Sequence, residues 1–232
     1  MAELKKQHFG NIKGTFGSAV FRQRNGKNYI AQKPVSYTPP NTDEYFMRIS
    51  KFKMATKISS VIYSDLHLRE IWSGAVPKNS NVNVYNYLIS VVYPFINGDS
   101  INNNLKIVPD SKVGIRLNSA NIEQDKLIIN LNPLTEASLI DTNIEKSARI
   151  SSLIYFSNPI NGDIPAYDLV NVSSNMLSIN LTEALTFETM LSTTLQAKIN
   201  SYQDKKIFSA LLTYDERNIL VNHSSTFYSE LS

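Results

Sequence analysis

Three histidines are the side chains of this sequence best suited to acid–base or metal chemistry. They are His8, His67 and His223, and no two of them have the i,i+4 spacing that places a pair of zinc ligands on one helix face. His223 adjoins serines in "NHSS", but neighbours on a strand point to opposite faces, so this adjacency does not indicate a catalytic triad. The histidines therefore predict neither a bound metal nor a nucleophilic catalyst.

Other catalytic signatures are equally weak. The glycine-rich "GNIKGTFG" lacks both the G-x-x-x-x-G-K-[ST] spacing of a phosphate loop and G-x-G-x-x-G, so we interpret it as a bend. The sequence has no cysteine, which excludes thiolate catalysis and Cys-ligated metals. Asp163 and Asp168 are candidates for paired carboxylates, but the turn-rich sequence around them favours side chain to backbone bonds. We therefore predict that the chain is not an enzyme and uses no cofactor.

The strongest functional signal is a group of four cations in "GSAVFRQRNGKNYIAQKP", residues 17–34. Asn25-Gly26 suits a two-residue type I′ turn, because both residues tolerate positive φ. The predicted register pairs Phe21 with Ile30, Arg22 with Tyr29 and Arg24 with Lys27. One face of this hairpin is then cationic, and the other is apolar.

The candidate contact residues of this segment are Arg22, Arg24, Lys27, Tyr29 and Lys33. Three interpretations fit them. In the first, the cations contact a phosphate backbone and Tyr29 stacks on a base. In the second, they form a solvated face whose charges protect a strand edge. In the third, which we favour, the segment contacts a neighbouring subunit by strand pairing and ion pairs.

Charge is distributed unevenly along the 232 residues, whose formal net charge is +3. Residues 1–57 hold eleven Lys or Arg against three acids, whereas the rest of the chain holds twelve against seventeen. This pattern indicates a basic arm on a mildly acidic body. No apolar run reaches the roughly eighteen residues of a membrane span, and "MAELKKQHFGNIKG" lacks the apolar core of a signal peptide. We therefore expect no membrane partner and a virion or cytoplasmic location.

Local patterns divide the chain into a basic hairpin arm (1–40), a helical segment (41–100) and a β-sandwich domain (101–232). Asn41, with Glu44 three residues later, indicates a helix start, and the helical pattern fades near Trp72, which we place in the core. A shorter helix is expected before Pro94. From about residue 104 the apolar period changes to two, as in "DKLIINLN" and "KKIFSALLTY".

The predicted fold class is α+β and mainly β. It combines the N-terminal basic β-hairpin arm, one or two helices and a C-terminal β-sandwich of immunoglobulin or fibronectin type. In "KKIFSALLTY" the residues expected to share one face are Phe208, Ala210, Leu212 and Tyr214. Residues 186–202 fit either a helix or strands, and this choice stays open.

The segment "GNIKGTFGSAVFRQRNGKNYIAQKP", followed by "TPPNTDEYFMRISKFKMAT" and "REIW", resembles a poorly characterised group of bacterial and phage-associated proteins. The resemblance covers residues 10–73, and its recurring positions are Arg22, Gly26, Lys27, Lys33 and Arg48. Members of the group usually have Gln where this chain has Glu44-Tyr45, so the helix start departs from the pattern. The resemblance implies a C-terminal sandwich-like part and a mobile-element or virion context, and it implies no catalytic residues.

Together these patterns predict a non-enzymatic structural protein that forms homo-multimers, as a phage virion component such as a tail, connector or capsid accessory protein. Other structural proteins of the same particle are the expected partners. The alternative is a nucleic-acid-binding protein that uses the basic hairpin. A carbohydrate-binding sandwich is a third class, which rests on fold analogy and abundant aromatic residues.

Overall fold

The computed structural model of the chain describes residues 2–3, 14–24, 27–33, 36, 39–78, 80–135 and 138–231. The chain divides into two compact units, Met1–Tyr45 and Phe46–Ser232. Its fold is α+β and mainly β, with several antiparallel sheets, as the sequence predicts.

The first unit is built on a four-stranded antiparallel sheet. Its strands are β1 (Ala2–Glu3), β2 (Gly14–Phe16), β3 (Ala19–Arg24) and β4 (Lys27–Gln32), in the order β1-β4-β3-β2. Gly17, with a φ of 58°, turns the chain between β2 and β3. The predicted register of the β3–β4 hairpin is confirmed, because Arg22 pairs with Tyr29 and Arg24 with Lys27. The Asn25-Gly26 turn that would set this register lies outside the described residues.

Three α-helices follow, where the sequence predicted one or two in all. They are α1 (Asp43–Ser64), α2 (Leu66–Ala75) and α3 (Val84–Val92), and a 3-10 turn at Tyr93–Phe95 ends α3 at the predicted proline. The expected N-cap at Asn41 is wrong, because Thr42 caps α1 by accepting from the Tyr45 N–H at 3.3 Å. The expected single helix to Trp72 is broken at Asp65, whose carboxylate caps α2.

The remaining elements are mainly strands. They are β5 (Ile96–Asn97), β6 (Ser100–Ile101), β7 (Leu117–Glu123), β8 (Lys126–Leu131), β9 (Ser147–Pro159), β10 (Tyr167–Ser173), β11 (Leu177–Ser178), β12 (Leu185–Met190), α4 (Thr193–Ser201), β13 (Tyr202–Tyr214), β14 (Leu220–His223) and β15 (Phe227–Glu230). The large sheet has the order β10-β9-β13-β14, with β11 paired to β9 and β15 to β13, and a smaller sheet has the order β12-β8-β7. Residues 186–202, for which the sequence fits either a helix or strands, contain both, since β12 covers the first part of this segment and α4 the second.

The large sheet lies between two apolar cores. On β13, Phe208 and Leu212 pack into a core with α1, α2 and α3, whereas Ile207 and Leu211 pack into a second core with the small sheet. The predicted shared face of Phe208, Ala210, Leu212 and Tyr214 is confirmed, and all four are buried. The second unit therefore has three layers, with helices, the large sheet and the small sheet stacked in that order.

Candidate functional site

The cationic face of the β3–β4 hairpin is the site that the sequence predicts. Arg22, Lys27 and Lys33 are exposed, and Tyr29 is half-buried beside Arg22 on the neighbouring strand. Arg24 belongs to β3, but its side chain lies outside the described residues. Arg22 lies directly opposite Tyr29, and Lys27 lies two residues before Tyr29 on the same strand. Both cations therefore lie on the same side of the sheet as Tyr29.

An exposed phenylalanine on the opposite face of the same sheet was missed in the sequence analysis. Phe16 ends the edge strand β2 and is 81% exposed, the largest exposure among the large apolar side chains that the structure describes. Lys33 lies at the same end of the sheet, because its N–H donates to the Ser18 carbonyl at 2.6 Å, two residues after Phe16. This end of the first unit thus carries both an exposed apolar side chain and an exposed cation.

A second site, in the interior of the second unit, gathers polar side chains around Asp65. One Asp65 carboxylate oxygen accepts from the N–H groups of His67 (2.9 Å) and Leu68 (3.1 Å) and so caps α2. The other oxygen accepts from Asn171 on β10 (2.9 Å) and Ser151 on β9 (3.3 Å). The carboxylate therefore joins the α1–α2 junction to the large sheet.

Aromatic and cationic groups complete this interior cluster. Arg149 Nη2 lies 3.9 Å from the Asp65 carboxylate, and the Tyr214 ring makes an edge contact with His67 at 5.3 Å. Burial lowers the pKa of His67, and the Arg149 guanidinium lowers it further. Burial raises the pKa of Tyr214 to about 12. At neutral pH the imidazole of His67 and the phenol of Tyr214 are therefore uncharged, and both Asp65 oxygens accept hydrogen bonds, which suits a structural junction.

Asp168 forms a third polar site, at the edge of the large sheet. The sequence placed it among turns, but it lies in β10 and makes ion pairs with Lys57 of α1 (2.9 Å) and Lys198 of α4 (2.6 Å). Burial alone would raise the pKa of Asp168, but hydrogen bonds from Lys198 and Lys57 outweigh burial and hold the pKa below its ordinary value of 3.8. Since α1 and α4 pack on opposite faces of the sheet, Asp168 clamps the outer layers across its edge.

Replacing Asp168 by asparagine is expected to lower the free energy of unfolding by about 1 kcal/mol at neutral pH, because both partly exposed ion pairs are lost. The pKa is lower in the folded state than in the unfolded state. The contribution of the carboxylate is therefore complete above about pH 5 and disappears as pH falls through the folded-state pKa. Urea unfolding across this pH range measures the effect. Asp110→Asn, which removes an exposed pair with Lys106, is the matched control. Equal pH profiles for the two variants would contradict the clamp.

The other candidates for chemistry do not converge. Among the residues that the structure describes, no group of three His, Asp or Glu side chains could hold a metal ion. His67 lies in the interior cluster, whereas His223 lies on β14 with Nδ1 3.0 Å from the Ser224 carbonyl oxygen. Asp163 is exposed in the connection before β10, and His8 lies outside the described residues.

Comparison with known proteins gives no family assignment, because no protein-family model matches the chain and no curated protein matches it. In the described ranges, none of the helices has the length and apolar character needed to cross a membrane.

Proposed function

We propose that this chain is a non-enzymatic structural protein that assembles in multiple copies, as a component of a phage particle such as a tail, connector or capsid accessory protein. The observation that carries the proposal is the separate N-terminal unit, Met1–Tyr45, with its exposed cations and an exposed Phe16 on an edge strand. Isolated sheet edges with exposed apolar side chains are surfaces that proteins use for pairing with another chain.

Charge supports self-association. The first unit contains seven Lys or Arg against three acids, and the second contains sixteen against seventeen. The first unit therefore has a net charge of +4 and the second a net charge of −1, so the first unit of one copy meets no net repulsion from the second unit of another. A contact between these units joins two different surfaces, so it builds rings or filaments when it propagates, and a closed pair when two copies exchange their first units.

We further propose that the two facing sheets of the second unit form a sandwich of immunoglobulin or fibronectin type that serves as the body of the assembled copy. The core that both sheets share supports this assignment. Helices α1, α2 and α3 then add a layer that such a sandwich lacks.

Binding of nucleic acid is the second candidate function. It is favoured by the exposure of Arg22 and Lys27 on the hairpin face that also carries Tyr29, since cations beside an aromatic ring suit a phosphate backbone and a base. In this case retention on DNA or RNA falls steeply with salt and is lost in an Arg22→Ala/Arg24→Ala variant.

Deleting residues 1–40 is the experiment that tests assembly. The deletion keeps Thr42, the cap of α1, so the second unit should remain folded. We expect the full chain to form multimers and the shortened chain to have the mass of a monomer in size-exclusion chromatography with light scattering. Emission from Trp72, the only tryptophan, confirms that the second unit is intact. Equal oligomeric states for the two chains would contradict the proposal, and salt-sensitive retention of monomers on DNA or RNA would favour the second candidate.

A further inference from the structure

A groove in the second unit separates helix α2 from strand β14. Its volume is about 430 Å³. Glu70, Ile71 and Gly74 line it from α2, and Leu220 and Val221 line it from β14. Gly74 leaves the helix side open, since a Cβ built there would meet no atom within 4 Å. A groove between a helix and a strand is the arrangement that accepts an extended peptide by strand addition.

β14 provides a free strand edge along this groove. Within the described parts of the chain β14 pairs only with β13, and it ends one side of the large sheet. Val113 bridges to Ser224, one residue past the end of β14, and no described strand pairs with the outer edge of residues 220–222. The His223 N–H already donates to the side chain of Asn222 at 2.9 Å. Val221 is 42% exposed on this strand, and Ile219 just before it is 56% exposed. An unpaired edge with exposed apolar side chains is a template for another strand.

β2 of the first unit has the properties of a matching strand. Among the described strands it ends its own sheet, all three of its residues are exposed, and Phe16 projects an uncovered phenyl ring. The exposed cation Lys33 lies at the same end of that sheet. The groove carries the opposite charge, because Glu70 lines it and makes no ion pair with any described residue.

We propose that β2 of one copy adds to β14 of the next copy, with Phe16 inserted into the α2–β14 groove, and that the exposed cations of the first unit complement Glu70 of the groove. This inference rests on the proposed function, because it names the contact through which the copies assemble. Phe16 lies in the first unit and the groove in the second, so each copy inserts its own β2 into a neighbour and binds the β2 of another copy in its own groove. The contact therefore builds rings or filaments when it propagates from copy to copy, and a closed pair when two copies exchange β2 reciprocally.

Two substitutions test β2 and the α2–β14 groove separately. Phe16→Asp removes the apolar anchor at a fully exposed position, and Gly74→Trp fills the groove at a position with open space. We expect each variant alone to raise the dissociation constant of the multimer by about tenfold or more, because a central aromatic anchor dominates such a contact. Phe52→Asp and Gly162→Trp are the matched controls, since Phe52 is 52% exposed and Gly162 is equally open.

Mixing the two variants gives the decisive result. Phe16→Asp keeps an intact groove and Gly74→Trp keeps an intact β2, so an equimolar mixture should form a species of twice the monomer mass of 26.1 kDa and nothing larger. Multimers of wild-type size in either variant alone, or a mixture that stays monomeric, would overturn the pairing of β2 with β14 while leaving assembly itself in place. A monomeric wild-type chain would instead overturn the proposed function, and the pairing with it. Light scattering measures all of these outcomes, and far-UV circular dichroism confirms folding, since two of the variants add a second tryptophan.

Discussion

Replacing Asp65 by alanine is expected to lower the free energy of unfolding by about 3–5 kcal/mol. The Asp65 side chain is 7% exposed, and its two oxygens accept from α2 at one side and from β9 and β10 at the other. Alanine removes the cap of α2 and leaves the guanidinium of Arg149, itself only 20% exposed, without its carboxylate. The lost cap, the unpartnered donors of the sheet and the partly buried charge of Arg149 together account for this cost.

A comparison with two other variants isolates this effect. Asn83→Ala removes only the cap of α3, where the side chain accepts from the Asn86 N–H at 2.8 Å, and should cost about 1 kcal/mol. Asp65→Asn keeps an acceptor for the α2 cap but removes the negative charge, so its cost should lie between the other two. Urea unfolding followed by Trp72 emission measures all three. A cost for Asp65→Ala no larger than that for Asn83→Ala would show that the links to the sheet contribute nothing.

Local features of this fold could be predicted from the sequence. A two-residue turn fixes which residues face each other across a hairpin, so the pairing of Arg22 with Tyr29 follows from "RNGK" alone. The α1–α2 break also carries a local signal that the sequence analysis overlooked. In "SDLHLRE", Asp65 is a typical N-cap residue placed inside an otherwise helical pattern.

Features that depend on distant parts of the chain could not be predicted. Asn171 reaches Asp65 across 106 positions, and Lys57 reaches Asp168 across 111. For β13, the period of two identified one apolar face, but whether the other face is also covered depends on where the small sheet packs. Local spacing carries no information of this kind, because the hydrogen-bond or packing partner is set by the tertiary arrangement.

The α2–β14 groove illustrates the same limit for function. The sequence identified the charged hairpin as a contact surface because its cations are neighbours along the chain. Glu70 and Val221, which line the receiving surface, are far apart in sequence and meet only when α2 packs beside the large sheet. The proposed self-association needs Phe16 and this groove, and the sequence analysis singled out neither of them.

Replacing Trp72 by alanine is the other substitution with a large expected effect, a loss of about 3–5 kcal/mol in the free energy of unfolding. The indole is 2% exposed in the core beneath the helices, and it lies 6.1 Å from the Tyr87 ring in an edge contact. Its Nε1–H donates to the Ile107 carbonyl at 2.8 Å and so ties α2 to the connection that follows β6. Circular dichroism in urea measures the loss, since the substitution removes the only tryptophan.

A phenylalanine at position 72 separates packing from hydrogen bonding. Trp72→Phe keeps most of the ring in the core but leaves the Ile107 carbonyl without its donor, which costs about 1–3 kcal/mol for a buried acceptor. We therefore expect a loss smaller than that for alanine but clearly measurable, whereas Phe52→Ala, at a side chain that is 52% exposed, should change stability by less than about 1 kcal/mol. If Trp72→Phe is as stable as the wild type, packing alone holds α2 in place. If Trp72→Phe lowers the free energy of unfolding as much as Trp72→Ala does, the phenyl ring contributes nothing at this position and the core requires the full indole.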